Sequence, residues 1–437
     1  MAQKRKQEHL LKLGRSQFAN RLYTNLDKKR LPENKTPRFK LSNLLNSDLW
    51  IWLTKTILSN LGAGRYPYQT YTNPAVDNGV YTIPDAVSAG EVHVAILGDW
   101  ASNTDESDSI GKQAAEHQPH YSIHIGDVYY SGGANEIDDN FGIGGTWPKA
   151  SEGNFALIGN HEMYSHGKGY FTRLLPYMHR KTPSGSLVPQ QAPFFCLENN
   201  FWRIIALDTG YDCLKWFIHS TNRNLDLPAQ QKAWLKEQVF KKPDDKRGII
   251  LVSHHQYITA FNGESEFHNP ADTLAQYLGI ELPVLWFWGH EHRFSIYGSC
   301  QVGKGIKAFG RCIGHAGMPI EILPKITPSN PARDKKLVLF DNRCREKLDN
   351  TLVGYNGYAV LKLNQNKLTV EYMDYKKLGG KNGVLVQEEW EINNGQLEGK
   401  TIVDYTTNDS LSHHLKNIPN ATGKLTLMVN DIREAIK

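Results

Sequence analysis

The sequence predicts an α/β fold in which most strands are buried. Six short apolar runs, rich in Val, Ile and aromatic residues, have the length of a strand and are closely followed by Gly, Asp, Asn or His. Helix-like stretches at 109–117 and 228–240 lie between several of the runs, an alternation typical of α/β proteins. The runs are EVHVAIL (91–97), HYSIHI (120–125), NFALI (154–158), WRIIAL (202–207), GIILV (248–252) and LPVLWFW (282–288).

Length and composition set the outer limits of this prediction. The chain has 437 residues, of which 40% are hydrophobic and 11% aromatic, so it is not disordered as a whole. No apolar run reaches the length of a membrane span, which argues against an integral membrane protein. The five cysteines have no C-x-x-C spacing, which argues against a disulfide framework and a zinc ribbon.

The N-terminal region is strongly basic. Residues 1–40 contain twelve Lys or Arg and three Asp or Glu, a net charge of +9, so the remainder carries −4 of the total of +5. Apolar residues at helical spacing predict a helix over 47–62. We expect residues 1–88 to form a basic, partly helical extension and linker. A solvated extension is the commoner use of such charge, and contact with nucleic acid or an anionic surface is the alternative.

The two ends of the chain also carry predictions about boundaries and compartment. Residues 89–395 are predicted to form the main α/β domain, closed by two strands in 355–375 and one in 383–392, and residues 396–437 a polar tail. The first residues lack the apolar core of a secretory signal, so we expect a cytoplasmic protein, or a secreted or periplasmic one if a leader has been removed.

Side chains that can bind metal ions follow five of the six runs. In open α/β sheets ligands bind beyond the carboxyl ends of the strands, so residues far apart in sequence can meet at one edge. Each motif alone is weak, because a Gly-Asp pair is often only a turn and histidines are often solvated. The ordered set is improbable by chance and favours a functional site. It comprises Asp99 in GDW, Asp127 and Tyr130 in GDVYY, Asn160 and His161 in GNHE, His254 and His255 in VSHH, and His290 and His292 in GHEH.

This constellation resembles the calcineurin-like metallophosphoesterase superfamily, and within it the purple acid phosphatases of the small, single-domain, tartrate-resistant type. The usual Asp-x-His of the first motif is replaced by Asp99-Trp100-Ala101, and GDVYY matches the purple acid phosphatase pattern GDxxY with its tyrosine at Tyr130. The resemblance implies a two-sheet βαβαβ sandwich flanked by helices, with the metal ions at one edge between the sheets.

The resemblance also implies two metal ions, a ferric ion and a divalent Zn, Fe or Mn ion. Anionic oxygen donors suit the trivalent ion, and imidazole and amide donors suit the divalent one. His254 is preferred over His255 because it lies two residues before Gln256, where the family usually has Pro. The implied ligands are Asp99, Asp127, Tyr130 and His292 for the ferric ion, and Asn160, His254, His290 and the bridging Asp127 for the divalent ion.

The function implied is hydrolysis of phosphate esters by hydroxide generated at the two ions, with phosphomonoesters of small molecules or phosphoproteins as substrates. His161 is the candidate proton donor to the leaving group, and His268 resembles a histidine of the family that contacts substrate. Glu162 is a candidate for orienting His161 but could equally be a surface carboxylate, and Asp208 is interpreted as a structural residue or as a partner of the metal ligands. The alternatives are a phosphodiesterase or nucleotide pyrophosphatase on the same site and, more remotely, a non-catalytic binding module that uses the basic N-terminus.

Overall fold

The computed structural model describes residues 64–87, 90–129, 131–214, 222–242, 245–261, 265–278, 284–301, 304–318, 320–322, 336–341, 343, 345–348, 351–377 and 381–404. The predicted helix over 47–62, the basic N-terminal segment and all of the predicted tail after residue 404 lie outside these residues. Among the described residues, no helix combines the length and the apolar character needed to cross a membrane.

Strands dominate the structure. In chain order they are β1 (Val80–Thr82), β2 (Val92–Leu97), β3 (Tyr121–His124), β4 (Gly153–Ala156), β5 (His179–Lys181), β6 (Leu187–Pro189), β7 (Phe195–Glu198), β8 (Trp202–Leu207), β9 (Gly248–Ser253), β10 (Val284–Trp288), β11 (Phe294–Gln301), β12 (Lys307–Ile313), β13 (Glu321–Ile322), β14 (Leu337–Phe340), β15 (Glu346–Leu348), β16 (Thr351–Val353), β17 (Gly357–Asn364), β18 (Lys367–Asp374), β19 (Val384–Asn393) and β20 (Gln396–Asp404).

The helices are short and connect the strands. They are α1 (Asp105–Ala115), α2 (Ala134–Phe141), α3 (Asn160–Met163), α4 (Leu175–Tyr177), which follows a π-helical turn at Tyr170–Leu174, α5 (Ala229–Trp234), which continues as a π-helical turn at Leu235–Val239, and α6 (Asn269–Leu278). Helix α1 begins after Thr104, whose side chain accepts a hydrogen bond from the backbone N–H of Ser107 at 3.2 Å.

Most of the strands form two large sheets. Sheet I has eight strands in the order β1-β7-β8-β9-β10-β12-β11-β14, and sheet II has nine in the order β20-β19-β18-β17-β2-β3-β4-β5-β6. Strands β8, β9, β10 and β12 run parallel within sheet I, and β2, β3 and β4 run parallel within sheet II. A third, small sheet has the order β13-β16-β15.

The two large sheets pack face to face, with helices on their outer faces. Alternation along β2 shows this, because Val94 and Ile96 join the apolar cluster between the sheets while Ala95 and Leu97 join the cluster that contains side chains of α1 and α2. Side chains of β9 alternate in the same way between the inter-sheet cluster and the one beneath α5 and α6. Strands buried on both faces read as continuous apolar runs.

The predicted fold class, a two-sheet α/β sandwich of the metallophosphoesterase type, is confirmed. All six apolar runs contain a strand, the two predicted helix-like stretches overlap α1 and α5, and the closing strands are β17, β18 and β19. The boundaries predicted at residues 88 and 395 stay predictions, and β20 continues sheet II to Asp404.

Candidate metal centre

Five strand ends from both sheets converge at one edge of the sandwich. The residues after β2, β3 and β4 of sheet II meet the residues after β9 and β10 of sheet I. Because all five are parallel strands with their carboxyl ends at this edge, their following residues come together although they span almost 200 positions of the chain.

The first group of ligand-type atoms consists of Asp99, Asp127 and His292, whose candidate ligand atoms all lie within 4.8 Å of one another. The Nε2 atom of His292 lies 3.3 Å from Oδ1 of Asp99. Both carboxylates are fully buried or nearly so. Buried charges are normally paired or coordinate a metal ion, so these two carboxylates require a positive charge beside them.

The second group gathers around the amide oxygen of Asn160. Its Oδ1 lies 3.0 Å from Nε2 of His254 and 2.8 Å from Nδ1 of His290. The same Nε2 of His254 lies 3.3 Å from Oδ1 of Asp127. An amide oxygen, a carboxylate oxygen and two imidazole nitrogens thus point at one small volume.

Asp127 stands between the two groups. Its Oδ1 faces His254, whereas its Oδ2 lies toward the first group and 3.8 Å from Nε2 of His161. Burial opposes ionisation of Asp127, but the imidazoles of His254, His161 and His290 outweigh it and hold the pKa of this carboxyl well below its usual range. Asp127 is therefore a carboxylate with one oxygen available to each group.

The donor set fits metal ions. Nδ1 of His254 lies 3.0 Å from the backbone carbonyl of Ile125, which can only accept, so in the neutral imidazole this nitrogen carries the hydrogen. Nε2 then presents a lone pair to the oxygens of Asn160 and Asp127, which also have only lone pairs to offer. Three such atoms near 3 Å repel one another unless a cation lies between them. The carbonyl of Ile125 also fixes the orientation of the ring, as hydrogen-bond partners of metal-binding imidazoles do.

The imidazole of His290 is also held in the form that metals bind. Burial, followed by repulsion from His254, lowers the pKa of His290 to about 3. Its backbone N–H donates to Oδ2 of Asp99 at 2.8 Å, which ties the loop after β10 to the loop after β2. Neutral imidazole is the metal-binding form, so this histidine keeps its lone pair at physiological pH.

Three of these residues have a left-handed backbone, which non-glycine residues rarely adopt. The φ angles are 56° at Asp99, 71° at Asp127 and 63° at His290. Gly126, just before Asp127, has a φ of 101°, and a Cβ atom there would lie 2.6 Å from Nδ1 of His254. Strain of this kind at several ligand-type residues is characteristic of functional sites.

Comparison with known proteins agrees with this arrangement. Residues 92–294 match the family model described as calcineurin-like phosphoesterase. This segment is a calcineurin-like phosphoesterase domain. A search of curated protein sequences found no significant match.

Several solved structures are similar to the chain. They include a purple acid phosphatase from yellow lupin (16% identity, 67% of this chain and 52% of that chain covered, TM-score 0.43), the structure of PhoD (11%, 79% and 77%, 0.45) and a dimetal phosphatase from Danio rerio (11%, 72% and 99%, 0.39). The match therefore spans about half of the lupin enzyme.

The two histidines predicted to act on the substrate, His161 and His268, lie in different surroundings in the phosphoesterase domain. His161 lies at the centre: its backbone N–H donates to Oδ1 of Asp127 at 3.0 Å, and its side chain is 21% exposed. His268 pairs instead with Glu266, at 2.7 Å, and within the described part of the chain it makes none of the hydrogen bonds that join the two groups. Its predicted contact with substrate stays a prediction.

The phosphoesterase domain also buries a third imidazole beside the second group. The candidate ligand atoms of His255, His254 and His290 all lie within 4.8 Å of one another. The hydroxyl of Thr209 accepts from the backbone N–H of His255 at 3.0 Å and lies 3.2 Å from its Nδ1. The family motif favours His254 over His255. The one signal that could have indicated His255 is the expected burial of the whole VSHH segment.

The phenol at the first group of the phosphoesterase domain belongs to Tyr129. Its hydroxyl lies 2.8 Å from Oδ1 of Asp99, 3.1 Å from Oδ2 of Asp127 and 2.6 Å from Nε2 of His292. Tyr130, the residue singled out by the GDxxY pattern, lies outside the described residues, so its predicted role stays a prediction.

Proposed function

We propose that the phosphoesterase domain hydrolyses phosphate monoesters with two metal ions. Asp99, Asp127 and His292 would hold one ion, and Asn160, His254 and His290 would share Asp127 in holding the other. The observation that carries the proposal is the position of Asp127, whose two carboxylate oxygens face different groups of ligand-type atoms. A carboxylate in that position would be shared by the two ions.

The donor chemistry supports an iron ion in the first position and Zn, Fe or Mn in the second. The first group is dominated by carboxylate oxygens, which suit a hard trivalent cation, and the second by imidazole nitrogens. Two such ions, when bound, clamp the oxygens of a phosphate group and lower the pKa of a coordinated water molecule.

His161 is proposed as the group that protonates the leaving oxygen. Its ring is more exposed than the buried ligand-type residues, and it lies within 3.8 Å of the shared carboxylate without belonging to either group. A leaving alkoxide expelled from the phosphate needs a proton, and an imidazolium can supply it near neutral pH.

The proposal is tested on the full chain, stripped of metal with a chelator and reloaded with iron and zinc. We expect about two ions per chain by elemental analysis, and faster turnover of an aryl phosphate than of a bis-aryl phosphate. Binding of fewer than one ion, or hydrolysis of neither substrate, would contradict the proposal. A preference for the bis-aryl substrate would make the protein a phosphodiesterase on the same site.

A His161→Ala variant tests the proton donor separately. Loss of general acid catalysis is worth about 10²–10⁴ in rate, so turnover should fall by this order while the metal content stays unchanged. His179→Ala is the matched control, because His179 lies on β5 and its Nδ1 lies 3.0 Å from the backbone carbonyl of Tyr177. Equal turnover in the two variants would remove His161 from the mechanism.

A further inference from the structure

The hydroxyl of Tyr129 is built into the first group of ligand-type atoms. It lies 2.6–3.1 Å from one atom each of Asp99, Asp127 and His292, and the residue is 4% exposed. Oxygen and nitrogen ligands bound about 2 Å from one ion sit at about this separation from one another. The phenol oxygen is thus spaced as a fourth member of the group.

The backbone explains why this tyrosine reaches the group. Residues Ala101 and Val128 form an isolated parallel bridge beyond the ends of β2 and β3, and the N–H of Tyr129 donates to the carbonyl of Ala101 at 2.9 Å. Val128 is fully buried in the apolar cluster on the helix side of sheet II. Because successive side chains of an extended segment point to opposite sides, Tyr129 is directed toward the strand-end edge.

The surroundings of the phenol also favour a fixed position. The ring centroid of Tyr129 lies 4.3 Å from that of His161 and 5.7 Å from that of His292, so the ring packs against two imidazoles. Ala101, to which its backbone is bonded, has only a methyl group and offers no ligand atom. Without the phenol, the first group would have a single imidazole and two carboxylates.

Resting on the proposed function, we propose that Tyr129 supplies a phenolate ligand to the iron ion that Asp99, Asp127 and His292 would hold. As a ligand, the phenolate oxygen would donate a lone pair to the ferric ion, and the phenolic proton would pass to solvent. No electron would be transferred to or from the protein. Phenolate is a hard anionic donor, which suits a trivalent ion.

Visible spectroscopy of single variants distinguishes the two tyrosines. The full chain is loaded with ferric iron and zinc, and the phenolate-to-iron absorption band is recorded together with iron per chain. We expect the band in the wild type and in Tyr130→Phe, and its complete loss in Tyr129→Phe. Tyr164→Phe is the matched control, because that half-buried tyrosine contacts His161 and Asn160, beside the second group. It should keep the band.

Two results would overturn the assignment. A band lost in Tyr130→Phe but kept in Tyr129→Phe would give the role to Tyr130, and a wild type without the band at full iron occupancy would exclude both. If Tyr129→Phe does not fold, Tyr130→Phe still decides the question by keeping or losing the band. Failure here is separable from failure of the proposed function, because ion content and aryl phosphate turnover of the wild type test that function independently.

Discussion

At the scale of single residues, the proposed two-ion site depends most on Asp127. The other ligand-type residues each belong to one group, whereas Asp127 offers Oδ1 to His254 and Oδ2 to the first group. Its left-handed backbone, with a φ of 71°, and its backbone N–H, which donates to Glu162 at 3.3 Å, fix this orientation.

Replacement of Asp127 by Asn should therefore disturb both ions. The variant keeps the shape of the side chain but loses its negative charge, so we expect fewer than one ion per chain. The rate should fall by more than the about 10–100-fold that loss of an outer-shell partner costs. Asp99→Asn is the comparison. Because Asp99 belongs to one group only, this variant should leave one ion bound. Retention of two ions by Asp127→Asn would show that the carboxylate is not shared.

A second residue, Asp208, makes the stability of the protein depend on pH. Its Oδ1 accepts from the backbone N–H groups of Gly210 at 2.7 Å and Tyr211 at 3.0 Å, which shapes the loop that carries Thr209 to His255. Burial outweighs these bonds and raises the pKa of Asp208 from 3.8 to about 7. The interpretation of Asp208 as a structural residue agrees with these contacts.

The raised pKa predicts the direction of a stability change. The folded state keeps the proton up to about pH 7, whereas the unfolded chain releases it near pH 3.8, so stability falls as the pH rises between these values. The full effect is at most about 4 kcal/mol. Asp208→Asn carries no such charge, so its free energy of unfolding relative to the wild type should increase from pH 4.5 to pH 8 in denaturant titrations of metal-free protein.

The control for this measurement is Asp139→Asn, which removes an exposed carboxylate from α2. Its stability relative to the wild type should change little over the same pH range. If Asp208→Asn shows the same flat profile, the pKa of the Asp208 carboxyl does not differ between the folded and unfolded states as described.

The sequence singled out the residues that the structure brings together at this edge because each closely follows an apolar run, and their role as metal ligands stays a prediction. The spacing of GDVYY selects Tyr130, which lies outside the described residues. The spacing offers no reason to choose Tyr129, whose hydroxyl is brought to the first group by the backbone bridge between Ala101 and Val128. A contact made after the ends of two strands leaves no periodic signal in either segment.

At the scale of secondary-structure elements, the centre depends on how its loops are tied together. Oε2 of Glu162, at the start of α3, accepts from the N–H of Asp127 at 3.3 Å and from that of Gly159 at 2.9 Å. One buried carboxyl thus joins the loop after β3 to the loop after β4. Burial, followed by repulsion from Asp127, raises the pKa of Glu162 well above its usual value, which favours its neutral form.

Replacing Glu162 tests this positioning role. Gln has nearly the same shape as a neutral carboxylic acid and keeps an acceptor oxygen, so Glu162→Gln should stay within a few-fold of the wild type in ion affinity and turnover. Glu162→Ala leaves two buried N–H groups without an acceptor and should lose about 10–100-fold in metal affinity. Isothermal titration with zinc measures the difference. Equal losses in both variants would mean that the charge, rather than the shape, is required.

The elements themselves were predictable to different degrees. Strands such as β2, β8 and β9 are buried on both faces, so they appear as unbroken apolar runs. Strands β5 and β6, the last two at one end of sheet II, have only three residues each and are partly exposed, so they have no such pattern. Their pairing depends on neighbours in sheet II, which a local reading of the sequence does not contain.

At the scale of the whole molecule, the metal centre requires that two sheets keep a fixed separation. Sheet II supplies the residues after β2, β3 and β4, and sheet I those after β9 and β10. The strand-end motifs predicted that these residues meet at an edge, but the packing of one sheet on the other was implied by the family resemblance and not by the apolar runs themselves.

One buried ion pair joins the two sheets directly. Arg311 of β12 bonds to Glu388 of β19 through Nε to Oε2 at 3.0 Å and through Nη2 to Oε1 at 2.9 Å, and each side chain is 1% exposed. The hydroxyl of Tyr372 and the indole N–H of Trp390 also donate to Oε2 of Glu388, each at 3.1 Å. This network satisfies a charge that would otherwise be costly between the sheets.

Removing one partner should destabilise the fold more than removing both. Glu388→Ala leaves the guanidinium of Arg311 buried without its carboxylate, and the loss should be about 3–5 kcal/mol. The double replacement Arg311→Met with Glu388→Leu removes both charges and fills part of the space, so it should recover much of that loss. Denaturant unfolding of the wild type, Arg311→Met, Glu388→Leu and the double replacement in parallel measures the coupling between the two positions. Strictly additive losses would show that the sheets are held together by their apolar side chains alone.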